Sequence, residues 1–222
     1  MSYGQNQPAG LVSANTITSA IFNGQNRQYY IQSGYANNIF RGDLVYLGGD
    51  GFIHNLSELL IAGYPTAPAI GVFNGCSYVQ PTANNPTDPA SPGRPYWPAG
   101  TVTSNGVPAQ CFIADDPNLV FTIQSDVGGL PWNAQGATVS VGYNYFNGST
   151  TNPTGNFITG QSSMILASGT IGPTAADLNL RIIGFDQNPS NPIPIPNGGP
   201  SAYVNALVLI QNHQFATRPV GI

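Results

Sequence analysis

An all-β fold, a β-sandwich or β-barrel-like domain built from antiparallel hairpins, is the class this sequence predicts, on three observations. Short β-branched and aromatic runs recur along the 222 residues, separated by Gly, Pro, Asn and Asp. No stretch keeps an apolar period of 3.6 long enough for a substantial helix. The 27 glycines and 20 prolines fall mostly between the apolar runs, where turns need a positive or a preset φ.

Taken in order, residues 1–30 are polar and rich in Asn and Gln, and read as an extended N-terminal arm. Thirty extended residues span up to about 100 Å, against a radius of gyration of about 17 Å for the body. The β domain is placed at residues 31–222, opened by Tyr29-Tyr30-Ile31. Ile39 to Leu47, the turn Gly48-Gly49-Asp50-Gly51 and Phe52-Ile53-His54 form a hairpin signal. Ser57-Glu58-Leu59-Leu60-Ile61 suits a helical turn, and Ala69 to Tyr78 a strand. Gln80 to Pro95 is a long proline-rich loop. Tyr96 to Thr103 is extended. Gln110–Ala114 and Leu119–Gln124, around Asp115-Asp116-Pro117-Asn118, predict a second hairpin. Gly128-Gly129 then allows two β lobes meeting near residues 126–136. Ala137 to Tyr145 alternates with period two, and Asn147 to Asn156 is a loop. Met164–Ala167 and Leu178–Phe185 are strands, and Gln187–Pro200 is a second proline-rich loop. Tyr203–Gln211, apolar on both faces, is expected at the centre of a sheet.

Composition narrows the function. Only 6% of residues are charged, against about 25% in an average soluble domain. There is no lysine, and Arg27, Arg41, Arg94, Arg181 and Arg218 are scattered. With a net charge of −4, they offer no basic track for a nucleic-acid backbone. No run approaches the roughly 18 apolar residues of a membrane helix. The start, Met1 to Pro8, has neither a basic cluster nor an apolar core, so no secretory signal is expected and synthesis is placed in a cytoplasm. Cys76 and Cys111 are then expected as reduced thiols, with a disulfide between them as the alternative. So few charges leave two readings: a polar but uncharged surface, or a protein that works inside an assembly.

Catalytic chemistry finds little to rest on. His54 and His213 are the only histidines, and no G-x-S-x-G elbow is present. Glu58 is the sole glutamate, and Asp115-Asp116 sits at a turn that favours Asp for its own backbone bonds. The Cys/His spacing of a zinc site is missing. Asp186, Asn188 and Asn191 offer oxygens, but prolines break any EF-hand spacing. The expectation is a non-enzyme with no cofactor, no metal and no catalytic residue. Tyr96, Trp97 and Trp132 could line a sugar-binding surface, yet aromatics beside Pro and Gly more often plug the ends of β-sandwiches.

Several segments carry a resemblance. They are Arg41-Gly42-Asp43-Leu44-Val45-Tyr46, Ala69 to Tyr78, Tyr96-Trp97-Pro98-Ala99-Gly100, Asp115-Asp116-Pro117-Asn118, Leu180 to Phe185, and Val208 to Phe215. In this order, over most of residues 30–215, the chain resembles the capsid decoration, or cement, proteins of tailed bacteriophages. The resemblance implies a structural virion protein on the outer surface of an icosahedral head, tying neighbouring major capsid subunits together. It also implies a homo-oligomer, a trimer before a dimer. Tyr29, Tyr30, Tyr96 and Trp97 are the expected capsid or oligomer contacts. The alternative is a carbohydrate-binding β-sandwich module of a phage tail or spike.

Overall fold

The computed structural model describes residues 8–17, 24–61, 68–80, 93–126, 144–147, 155–172, 179–186, 191 and 202–217. In chain order its strands begin with β1 (Val12–Thr16), β2 (Arg27–Ile31), β3 (Ile39–Phe40), β4 (Leu44–Leu47) and β5 (Ile53–Asn55). The one α-helix among the described residues, α1 (Ser57–Ile61), follows, then β6 (Gly71–Ser77), β7 (Tyr96–Trp97), β8 (Ala109–Ala114) and β9 (Leu119–Gln124). Next come β10 (Asn144–Asn147), β11 (Leu166–Gly172), β12 (Leu180–Phe185) and β13 (Asn205–Ile210). The short β14 (Asn212–His213) and β15 (Ala216–Thr217) end the described chain. Among the described residues every strand-to-strand ladder is antiparallel, and the fold is all-β.

Two sheets organise the molecule. One runs β1-β9-β13-β12-β10-β11; the other runs β2-β8-β6-β4-β5. Their facing sides share one core, with Leu44, Val72 and Ala114 from the second sheet against Phe121, Leu180 and Val208 from the first. The five-stranded sheet is also buried on its other side. It curls until β5 lies near β2, around Ile31, Val45, Ile53, Phe73, Cys76, Cys111 and Ile113. Alternate side chains of β4 therefore serve two cores: Leu44 and Tyr46 one, Val45 and Leu47 the other. The β3–β7 ribbon brings Trp97 to this second core.

The first hairpin forms as its turn chemistry predicts, with Tyr46 opposite His54. The Ile39–Leu47 run is nevertheless two strands. Gly42, at φ +95, makes a corner between β3 and β4 that a residue with a Cβ would strain. Gly10, at φ +67, crosses that corner so closely that a Cβ would lie 2.7 Å from the Gly42 carbonyl oxygen. β13 lies between β9 and β12, as its two apolar faces require.

Three expectations change. The Asp115–Asn118 turn does not close a hairpin: β8 pairs with β2 and β6, while β9 pairs with β1 and β13. The turn carries the chain from one sheet to the other. The segment expected as an extended N-terminal arm is, over its described residues, extended but paired into the two sheets. β1 and β2 are edge strands paired to β9 and β8, Leu11 is buried, and its N–H bonds to the Gly42 carbonyl at 2.9 Å. Weak β signals in Val12–Thr16 hid this, because pairing rather than propensity makes the strand. A division near 126–136 is crossed by the shared core, which joins residues from both sides of it. Most of both proline-rich loops, Trp132 and residues 137–143 lie outside the described residues.

Candidate contact surface and cleft

The most exposed large apolar side chain among the described residues, that of Ile158, stands on a turn held from several directions. Gly155 and Ser162 bridge its base; Asn156 N–H donates to the Gln161 carbonyl at 2.8 Å, and Gly160 N–H to the Asn156 carbonyl at 2.6 Å. The Asn156 side-chain oxygen accepts from the N–H groups of Ile158 and Thr159 at 2.8 and 3.1 Å, a local Asx arrangement. Arg41 N–H donates to the carbonyls of Gly160 and Pro95. What this scaffold presents is Phe157, 61% exposed, and Ile158, 95% exposed. The Phe157 ring meets Phe40 and Tyr96 edge-on, at 5.2 and 5.9 Å between centroids, and Phe40 is fully buried and stacked on Tyr96 at 5.4 Å. The tip is thus tied to the interior through stacked rings. Neither residue stands out in the sequence, where the apolar pair follows a Gly, Ser, Thr and Asn stretch.

The four expected contact residues separate. Trp97 is fully buried, set edge-on to Tyr78 at 5.0 Å, and its Nε1–H donates to the Tyr35 carbonyl at 3.3 Å. It is a core residue that plugs the curled sheet, so the contact role expected of it is corrected. Tyr96 remains half-buried beside the exposed turn. Tyr29 and Tyr30 lie on β2, in the other sheet element. Tyr29 Oη donates to Asp115 at 2.6 Å, and burial, then Asp115, push its pKa to about 12. Asp115 also pairs with Arg27 at 3.2 Å, and Arg27 lies 5.7 Å from the centre of the Phe215 ring. Phe215, about half exposed, is the outward ring of this second patch, while Tyr30, also about half exposed, is turned to the opposite face of β2, where the Gln28 amide donates to its hydroxyl at 3.3 Å.

Two polar centres lie apart from these rings, one buried and one partly exposed. Asp43 is buried at the Gly42 corner and accepts from Phe40 N–H at 2.8 Å, Asn55 Nδ2–H at 2.9 Å and the Ser162 hydroxyl. Burial outweighs these bonds and raises its pKa to about 6. His54 has a carboxylate at each ring nitrogen, Glu58 3.6 Å from Nδ1 and Asp50 3.0 Å from Nε2. Glu58 also accepts from the Tyr35 hydroxyl and from Asn37. The hydrogen bond to Glu58 leads in raising His54 above its ordinary pKa, against burial. Burial pushes Glu58 up, yet its bonds from His54, Tyr35 and Asn37 bring it below its ordinary value. With acids on opposite ring edges, the cluster orders β5 against α1 rather than converging on a point where a metal would sit. Among the described residues no three His, Cys, Asp or Glu side chains converge in that way. Asn191 spends its amide on Asp186 and Asn205 backbone groups, a structural tie.

A cleft of about 410 Å³ opens beside the exposed turn, lined by Leu11, Ser13, Asn26, Arg41, Asn74, Phe112 and Gln161 among others. Its walls offer amides, a ring and one guanidinium, with no carboxylate among the described lining residues. Asn74 Nδ2–H donates to Asn26 Oδ1 at 2.6 Å across it. Fold and surface together define a class, an antiparallel two-sheet protein with a fixed apolar tip. No protein-family model, no curated protein and no solved structure matches the chain.

Proposed function

We propose that this is a structural virion protein that attaches to the outer surface of an icosahedral phage head and cements neighbouring major capsid subunits. The observation that carries the reading is the rigid Phe157–Ile158 tip on a chain with 6% charged residues. A monomer that needs no partner gains nothing from holding an isoleucine 95% exposed on a hydrogen-bonded scaffold. Burying that side chain in a partner is worth about 1.5–3 kcal/mol, and the scaffold lowers the ordering cost of docking. Several modest contacts made at once, through a homo-oligomer, then give firm attachment. Tyr96 belongs to this contact in the proposal, with Tyr30 at a second one; no cofactor, nucleic acid or membrane takes part. Few charges also mean that attachment depends weakly on salt.

The test uses undecorated heads of the same virus and the purified full chain. Wild type is expected to co-sediment with heads at low and high salt alike, and Ile158→Asp to lose attachment while keeping its melting temperature. Release by modest salt, or unchanged attachment of Ile158→Asp, overturns the reading.

The cleft favours a second reading, a carbohydrate-binding module of a tail or spike. Amides pair with sugar hydroxyls, a ring packs on a sugar face, and about 410 Å³ is within the usual range for a ligand site. A glycan array with hits that Arg41→Ala abolishes, and no head attachment, selects that reading.

A further inference from the structure

Cys76 and Cys111 lie directly opposite each other on β6 and β8, and both are free and fully buried in the same core. The hydrogen bonds around Cys76 define the kind of pair they form. Cys76 N–H donates to the Arg94 carbonyl at 2.9 Å, and Arg94 N–H donates to the Cys76 carbonyl at 2.6 Å. In an antiparallel strand both backbone groups of a residue point to the same side, so those of Cys76 face Arg94 and not β8. Cys76 and Cys111 are therefore a non-hydrogen-bonded cross-strand pair. Such pairs bring Cα atoms to about 4.5 Å, inside the roughly 4.4–6.8 Å range of disulfides. Same-face side chains at these positions need only rotate about χ1 to meet.

We infer that Cys76 and Cys111 form an oxidisable dithiol, closing to an intramolecular disulfide when the folded protein meets a low-molecular-weight disulfide. One thiol, as thiolate, attacks the small disulfide and expels one small thiol. The second protein thiol then attacks the mixed disulfide, forms the Cys76–Cys111 bond and expels the other. Two protein thiols are oxidised, one small disulfide is reduced to two thiols, and the protons pass to those leaving thiols. Burial raises both thiols, Cys76 to about 12, and the neighbouring Cys76 adds to the rise at Cys111. The first attack is accordingly slow and proceeds through local opening of the sheet.

The bond would close the base of the connection that carries Pro81, Pro86, Pro89, Pro92 and Pro95. It would tie the two strands flanking this proline-rich run whatever the run contacts. A chain made with reduced thiols would thus harden on transfer to an oxidising medium, with no rearrangement of the ladder.

The full-length reduced protein is incubated with oxidised glutathione, both natively and while refolding from denaturant, then alkylated with N-ethylmaleimide and weighed. The expected product takes up no maleimide, has lost two hydrogens, runs as one chain without reductant and yields a Cys76–Cys111 cross-linked peptide. Its melting temperature exceeds that of the reduced form by several degrees, and dithiothreitol reverses the gain. Cys111→Ser is expected to keep one maleimide-reactive thiol and show no gain. Persistence of two alkylable thiols after refolding, a stable glutathione adduct on wild type, or interchain cross-links overturns the inference.

Discussion

Replacing Asp43 with Asn tests whether burial or hydrogen bonding governs the carboxylate at the Gly42 corner. In the folded chain its pKa is about 6, against an ordinary 3.8, with burial the leading cause. A displacement of about two pH units, at 1.36 kcal/mol per unit, makes folding about 3 kcal/mol less favourable with this group ionised than with it protonated. A raised carboxyl contributes stability that is fully present below the unfolded value near 3.8 and is lost as pH rises through 6. Asparagine cannot ionise, and its oxygen can still accept from Phe40 N–H, so the variant lacks this pH-dependent loss. Urea unfolding of both proteins from pH 4 to pH 7 isolates the effect, because His54, Asp50 and Glu58 contribute equally to each. The stability of wild type minus that of Asp43→Asn is expected to fall by about 2–3 kcal/mol across that range. A difference that rises with pH would refute the reasoning. It would mean that the three donors hold the carboxylate below its ordinary pKa and that desolvation is the smaller effect.

Trp97→Ala is expected to cost about 3–5 kcal/mol in denaturant unfolding, since it empties a fully buried site; unchanged stability with lost attachment would restore its contact role. His54→Gln is expected to lose more stability at pH 5.5 than at pH 9. The raised His54 value gives stability that is complete below the unfolded 6.5 and fades as pH climbs through the folded value, while Asp50 and Glu58, both lowered, are ionised throughout that window; equal losses at the two pH values contradict the pairing. Gly155→Ala sets a Cβ 2.3 Å from the Phe40 ring and should cost about 1–3 kcal/mol through displaced packing. Near-ultraviolet circular dichroism should register the disturbed Phe40–Tyr96–Phe157 stack; an unaltered spectrum and melting temperature would count against its rigidity.

What was legible in the sequence is what local chemistry decides. The Gly48–Gly51 turn and its flanking alternation define β4 and β5, and Tyr203–Gln211 announces a central strand by being apolar on both faces. Ser57–Ile61 is legible as one short helix. Partner choice was not legible. β8 and β9 look like a hairpin because their patterns and turn suit one, yet each satisfies its hydrogen bonds in a different sheet. Depth was not legible either: Tyr96 and Trp97 are adjacent, of similar type and beside prolines, but alternation turns one outward and seals the other inside. The His54 cluster had a faint signal, since Asp50, His54 and Glu58 are spaced by four, although a turn and a strand, not a helix, bring the first two together. The Phe157–Ile158 tip had none, because exposure follows from the bridge between Gly155 and Ser162.

The distribution of the few charges bears on the cementing proposal more than their number. Asp43 is turned into the core, Asp50 and Glu58 face His54, and Asp115 is taken by Arg27 and Tyr29. These carboxylates are occupied within the fold, while Ile158, Phe157, Val102 and Val107 face outward. A partner docking on the outward residues removes few ions from water, so the desolvation cost that weakens buried ion pairs is small. The same arrangement gives up electrostatic steering, which leaves association near the unsteered rate of about 10⁵–10⁶ M⁻¹s⁻¹. Slow capture is tolerable for a component added once to a finished shell and held there by many contacts. It would be a handicap for a soluble receptor that must find a dilute ligand repeatedly, which is why the tip and the sparse charges together favour assembly over recognition.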